Sequence, residues 1–224
     1  MVFPLIAAAF SAVVSTVASI GPAVAGFCAN VLPKIAPLLE KGIDILRMVE
    51  NVASTVAQVM NIFNPGETAE NIGDRALQAV EKGITPDQFD DHADYMNALR
   101  GVELDPEKSK ALSLPEKIIS GLAVAGHGLD DKFGTPEGTM GNLWLLAAAK
   151  PDYFDAGKLG QYLKTGQDIL SVVDYFEGKL GGGESLEVED KLVALDQEAA
   201  PDKDEQSIRA QIYATADAVQ KTTH

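Results

Sequence analysis

One cysteine and three histidines are all that 224 residues supply of the thiol and imidazole side chains that staple small domains through disulfides or structural zinc. A single thiol closes no intrachain disulfide, and one Cys with three scattered His excludes a zinc framework of linked ligand pairs. Basic residues are scarce as well: 18 Lys+Arg stand against 33 Asp+Glu, a formal charge of −15. Phosphate recognition needs a concentrated basic face, so direct nucleic-acid readout is excluded. Runs of alternating β-branched residues are also missing, which leaves helix as the expected regular structure. What is abundant is apolar residues, 46% of the chain, enough at this length to close one medium core or two small ones.

The charge is unevenly placed. Residues 1–33 carry no charged side chain, and residues 34–63 balance Lys34, Lys41 and Arg47 against Glu40, Asp44 and Glu50. All of the net charge therefore belongs to residues 64–224. Composition divides the chain into an apolar, neutral arm (1–65), an acidic body (66–180) and, after Gly181-Gly182-Gly183, a glycine-linked acidic tail (181–224).

Within the arm, residues 2–20 approach the roughly 20 apolar residues of a membrane span. No basic residue precedes the run, so it does not read as a secretory signal. Its residues are also arranged: Ile6, Phe10, Val13, Val17 and Ile20 follow 4-3-4-3 steps on one helical stripe, with Ser11, Ser15 and Ser19 on the opposite face. Gly21-Pro22 breaks this helix. The next pattern is the clearest in the chain: Leu38, Ile45, Val49, Val52, Val56, Val59 and Phe63 predict one helix over residues 38–63, with Glu50 and Ser54 among the side chains facing away. The stripe suits a helix packed against two neighbours, in its own fold or in a ring of copies, and the two helices together form an arm or hairpin.

The body reads as a series of short, capped helices. Thr85-Pro86-Asp87-Gln88, Asp105-Pro106-Glu107 and Ser113-Leu114-Pro115-Glu116 each carry a helix-start signal, and Gly83-Ile84 closes a helix over residues 68–82. Trp144 marks the centre of the body's core. Asp155 caps a helix carrying Leu159, Leu163, Leu170 and Val173, and the tail is a hairpin of two helices near residues 186–197 and 203–220. The fold class is all-α: an apolar N-terminal helical arm, a central multi-helix body and an acidic C-terminal helical hairpin.

Constellations for chemistry are weak. Asp87, Asp90, Asp91, His92, Asp94 and Tyr95 form the densest polar cluster, and carboxylates one helical turn apart can share a metal ion. No second helix offers matching ligands, and acids at a helix N-terminus explain the same residues without chemistry. His127-Gly128-Leu129-Asp130-Asp131 reads as a loop that can set a His against an Asp. Cys28 lies in the apolar arm as a buried, inert thiol. The glycine-rich run 134–141 has no Lys-Ser/Thr end and follows no strand, so a phosphate loop is not expected. No catalytic, cofactor-binding or metal residue is assigned.

A neutral Ala/Val/Ser-rich arm, a long heptad helix and an acidic helical body resemble virion structural proteins of tailed bacteriophages, namely tail-tip or baseplate-associated proteins and internal ejection proteins. The resemblance rests on residues 1–63 and transfers no functional residues. It implies a non-enzymatic, multi-copy assembly protein of the virion, whose partners are copies of itself and neighbouring subunits. The interaction residues would be Ile6, Phe10, Val13, Val17, Ile20, Leu38, Ile45, Val49, Val52, Val56, Val59 and Phe63. The alternative expectation is a membrane-active protein, of ejection, pore-forming or holin-like type, that inserts residues 2–20 into a bilayer. Outside a virion it would be cytoplasmic or membrane-associated.

Overall fold

A computed structural model describes residues 3–40, 42–166 and 168–223. Among these residues the chain is all-α, with no strand. The helices group into two compact units, Met1–Ala148 and Ala149–His224. This division follows backbone proximity, whereas the boundaries at 65/66 and 180/181 follow charge and glycine content.

The first unit is built around one buried helix. In chain order it contains α1 (Phe3–Ala18), a 3₁₀ turn (Pro22–Val24), α2 (Ala25–Asn30), α3 (Leu32–Glu40), α4 (Ile43–Val59), α5 (Ala69–Val80), a second 3₁₀ turn (Pro86–Gln88), α6 (His92–Arg100), α7 (Pro106–Ala111), α8 (Leu114–Phe133) and α9 (Asn142–Ala149). Every residue of α8 from Ile118 to Gly126 is buried. A helix that is apolar on all sides must be surrounded, and α1, α2, α4, α5, α6 and the first 3₁₀ turn all pack on it. The crossing of α5 with α8 depends on glycine. A Cβ on Gly73 would run into the carbonyl oxygen of Lys117, and one on Gly121 into that of Ala69. Trp144, fully buried, donates its indole N–H to the Leu122 carbonyl at 3.2 Å and so fixes α9 against the same helix.

Local signals explain where α8 begins and ends. Ser113 and Glu116 form a reciprocal capping box, with Pro115 in the first turn, and Gly134 closes the helix in the left-handed conformation at φ 62°. The same holds for α7, capped by Asp105, and for the end of α5, where Gly83 at φ 74° lets the Ile84 N–H reach the Ala79 carbonyl.

Four sequence expectations for the first unit are corrected. The pattern over 38–63 is not one helix: Gly42 at φ 120° separates α3 from α4, and α4 stops at Val59, where Asn61 takes φ 58° and the Ile62 and Phe63 N–H groups both turn back to the Ala57 carbonyl. Glu50 and Ser54 do not face away. Both are buried, because the Glu50 carboxylate and Ser54 hydroxyl accept the Glu70 and Ala69 N–H groups at the start of α5. Thr85 precedes only a 3₁₀ turn and makes no capping hydrogen bond; the helix, α6, is capped by Asp91, which accepts the Asp94 N–H at 2.8 Å. His127 lies inside α8 and not in a loop.

The second unit contains α10 (Ala156–Lys164), α11 (Ile169–Phe176), α12 (Gly182–Ala199) and α13 (Glu205–Thr223). The periodic run after Asp155 is split by Gly166 at φ 66° into α10 and α11, and α12 begins at Gly182, within the glycine run read as a linker. Tyr153, Phe154, Tyr175 and Phe176 meet edge to face with centroids 4.8–5.9 Å apart. Asp196, buried beneath them on α12, accepts from the Tyr153 hydroxyl at 2.8 Å and from Lys158 Nζ at 2.6 Å. The ammonium of Lys158 lies 3.6 Å from the Tyr153 ring centroid. Every charged atom in this network is partnered, which reads as scaffold.

Candidate functional site

The twelve apolar residues of the arm are distributed unequally. Val13, Val17, Ile20, Val49, Val56 and Phe63 are buried within the first unit; Phe10, Ile45 and Val52 are half-buried; Val59 is exposed. The side chains of Ile6 and Leu38 lie outside the described residues. The stripe of α1 that carries Val13 and Val17 faces α8. A polar tie holds it there, as the Thr16 hydroxyl donates to Glu116 Oε1 at 2.8 Å. Burial pushes the Glu116 carboxyl up, but the bonds from Ser113 and Thr16 outweigh it and hold the group below the usual carboxylate range.

That docking turns the opposite face of α1 outward. Ser11, Ala12, Ser15, Ala18 and Ser19 are exposed, and Ala25 and Ala29 continue the exposure on α2. The face has small side chains and no charge, on a chain of net charge −15. Among the described residues no helix is long and apolar enough to cross a membrane.

A second place combines chemistry-bearing residues that the sequence separates. The N-terminus of α6 brings His92 against α8, where the His92 and His127 rings stand edge to face with centroids 5.3 Å apart. His92 is 5% exposed and packs on the bare backbone of Gly128, where a Cβ would meet its Nε2. The backbone N–H of His92 donates to Asp131 Oδ2 at 3.2 Å. Neither ring nitrogen of His92 has a hydrogen-bond partner, nor has Nδ1 of His127 or the hydroxyl of Tyr95, whose ring lies 5.9 Å from His92. Burial, with the neighbouring His127 and Arg100, pushes His92 down to about 3, and burial also lowers His127 against the pull of Asp131, Glu137 and Asp87. Both imidazoles are therefore neutral at pH 7.

These two rings line a cavity of about 210 Å³. The first 3₁₀ turn contributes Pro22 and Ala23; the segment before α6 contributes Pro86, Asp87, Phe89, Asp90 and Asp91; α8 contributes Asp131; and the glycine-rich loop contributes Glu137. That loop is organised by Asp130, a buried carboxylate that accepts the Thr135 hydroxyl at 2.7 Å, the Gly138 N–H at 2.7 Å and the Met140 N–H at 2.9 Å. Burial raises the Asp130 carboxyl against those bonds. Gly138, at φ 80°, presses its backbone on Gly26, which sets Glu137 beside the cavity. The glycine run thus serves close backbone packing around a carboxylate.

The sequence picked out the Asp87–Tyr95 cluster and His127 separately and gave no sign that they converge. Pro22, Ala23 and Glu137 were missed entirely, since only the tertiary fold brings them near. Among the described residues no group of three or more His, Cys, Asp and Glu side chains is placed to hold a metal ion. Cys28 is half-buried, and burial raises its thiol above the ordinary range, which disfavours the reactive thiolate. Compared with protein-family models, curated proteins and solved structures, the chain has no match.

Proposed function

We propose that this protein is a non-enzymatic, multi-copy structural subunit of a large assembly, of the kind found in phage tails and baseplates, and that it meets its neighbours through the outer face of α1. The observation that supports this reading is the charge-free exposed surface of α1 and α2 on a strongly acidic chain. Interface cores are depleted of charge relative to the rest of a protein surface. Small side chains on that face also permit close approach of another helix. Val13, Val17 and Ile20 then have the role of holding α1 on α8 so that the face is presented rigidly. The bilayer alternative requires those three residues to leave α8 and exposes them to water beforehand.

The test is sedimentation velocity over a concentration series. Wild-type protein should self-associate, and a charge of either sign at the centre of the face, Ser15→Glu or Ser15→Lys, should abolish association while leaving helix content unchanged. A wild-type chain that stays monomeric at every concentration sinks the proposal.

A further inference from the structure

The junction of α6 with α8 is closed by two imidazoles that have no place for an added proton. The His92 and His127 rings meet edge to face at 5.3 Å, and His92 and Ile62 both press on the bare backbone of Gly128. Both ring nitrogens of His92 are sealed from solvent without a hydrogen-bond partner, as is Nδ1 of His127. An imidazolium carries two N–H donors and a charge, and burying these unpartnered is costly. The surrounding acids are engaged or turned elsewhere. Asp131 accepts the His92 backbone N–H, Asp91 accepts the Asp94 N–H, Asp130 is taken up by the glycine-rich loop, and Asp90 and Asp94 are exposed. Asp131, Glu137 and Asp87 pull on His127, whereas the charges bearing on His92, namely His127 and Arg100, oppose its protonation. From α5 comes another cation, Arg75, bonded to the Val102 carbonyl.

The two ends of α6 are held differently. At the C-terminal end Arg100 grips Glu67 through two N–H groups, at 2.8 and 2.9 Å, and reaches the Ile62 carbonyl at 3.3 Å, beside buried Met96 and Leu99. Burial raises the Glu67 carboxyl, but its bonds from Arg100 and Asn64 outweigh that and keep it ionised well into acid. At the N-terminal end the ties are the His92 N–H bond to Asp131 and the packing of Gly21, where a Cβ would run into Asp87 Oδ1. The chain enters this end through an exposed stretch that includes Gly83 at φ 74°. We propose that the His92–His127 contact is an acid-released latch: when His92 takes up a proton, residues 85–94 leave α8, pivoting between Gly83 and the Arg100–Glu67 anchor, and uncover Gly128 and the Gly21-Pro22 turn that follows α1. Water reaches the ring only when the segment leaves, so protonation and opening are one event. Once out, the imidazolium is solvated and no longer faces His127 and Arg100. The open state gains about tenfold for each pH unit below 6.5, the ordinary value for histidine.

Amide hydrogen exchange on the full chain at pH 7.5 and 5.0 tests this, read as protection factors so that the intrinsic pH dependence of exchange is removed. Amides of residues 85–94, with the His92 N–H as direct reporter of the junction, should lose about 30-fold of their protection at pH 5.0. They should do so through an opening that dilute urea barely accelerates, because little surface is exposed. Amides of residues 118–126 in α8 should stay better protected at both pH values and show the full urea dependence of global unfolding. His92→Gln should abolish the acid loss in residues 85–94. Should that variant not fold, the wild-type His92 ring resonance gives a second reading, since it must titrate in step with the loss of protection. Three results overturn the latch: residues 85–94 sharing the protection and urea dependence of α8 at pH 5.0, an acid loss that persists in His92→Gln, or a His92 ring that titrates while the segment stays protected.

Discussion

His92 imposes an acid sensitivity on the fold that follows from its position alone. In the unfolded chain it takes up a proton near pH 6.5, whereas burial holds it neutral in the folded state down to about pH 3. The unfolded state therefore binds more protons throughout that window, and stability must fall as the pH drops from 6.5 towards 3, by at most about 1.4 kcal/mol per pH unit for this residue. His127, also lowered, acts in the same direction. Urea unfolding of wild type and His92→Gln at pH 7.5 and 5 should show a smaller acid loss in the variant, by about 2 kcal/mol. Equal losses would mean that the ring is not held neutral. Gly73 and Gly121 act through the absence of a side chain. Gly73→Ala or Gly121→Ala drives a methyl into the carbonyl of the facing helix, and neither backbone has anywhere to relax within a buried crossing. Each should cost about 3 kcal/mol, read as a shift of the denaturation midpoint at unchanged slope.

At the scale of elements, α8 shows how one carboxylate joins two helices. Glu116 accepts the Ser113 N–H at 2.7 Å to complete the capping box and accepts the Thr16 hydroxyl from α1 with its other oxygen. Ser113→Ala should remove about 1 kcal/mol, the usual cost of a lost N-cap, while Glu116→Ala should remove about 2 kcal/mol because the tie to α1 goes with it. A double-mutant cycle with Thr16→Val isolates the tie, and a coupling of zero would show that α1 is held by its apolar stripe alone. The start of α8 was legible because Ser, Pro and Glu at fixed offsets state a local rule. So were Asp105, Asp155 and the Gly83 cap. The break at Gly42 was not, because the apolar spacing runs through it without interruption and only the backbone dihedral reveals the kink. Nor was the burial of Glu50 and Ser54: their partners are orphan N–H groups of α5, and nothing near them in sequence names those donors. The convergence of His92 with His127 failed for the same reason, being a contact across 35 positions mediated by a bare Gly128.

For the whole molecule, the placement of charge decides how copies can meet. All of the −15 resides in residues 64–224, while the exposed surface of α1 and α2 is neutral. Two copies brought together through that surface gain contact between uncharged faces but bring two acidic bodies nearer, so mutual repulsion opposes the contact. Salt weakens the repulsion, since the screening length shortens from about 30 Å at 0.01 M to about 3 Å at 1 M, and leaves uncharged contacts intact. Self-association should therefore strengthen as NaCl is raised across that range, the reverse of an interface built on ion pairs. Sedimentation velocity at fixed protein concentration gives the sign directly. Association that weakens with salt would place the contact on charged residues elsewhere, and would leave the neutral face of α1 without the role proposed for it.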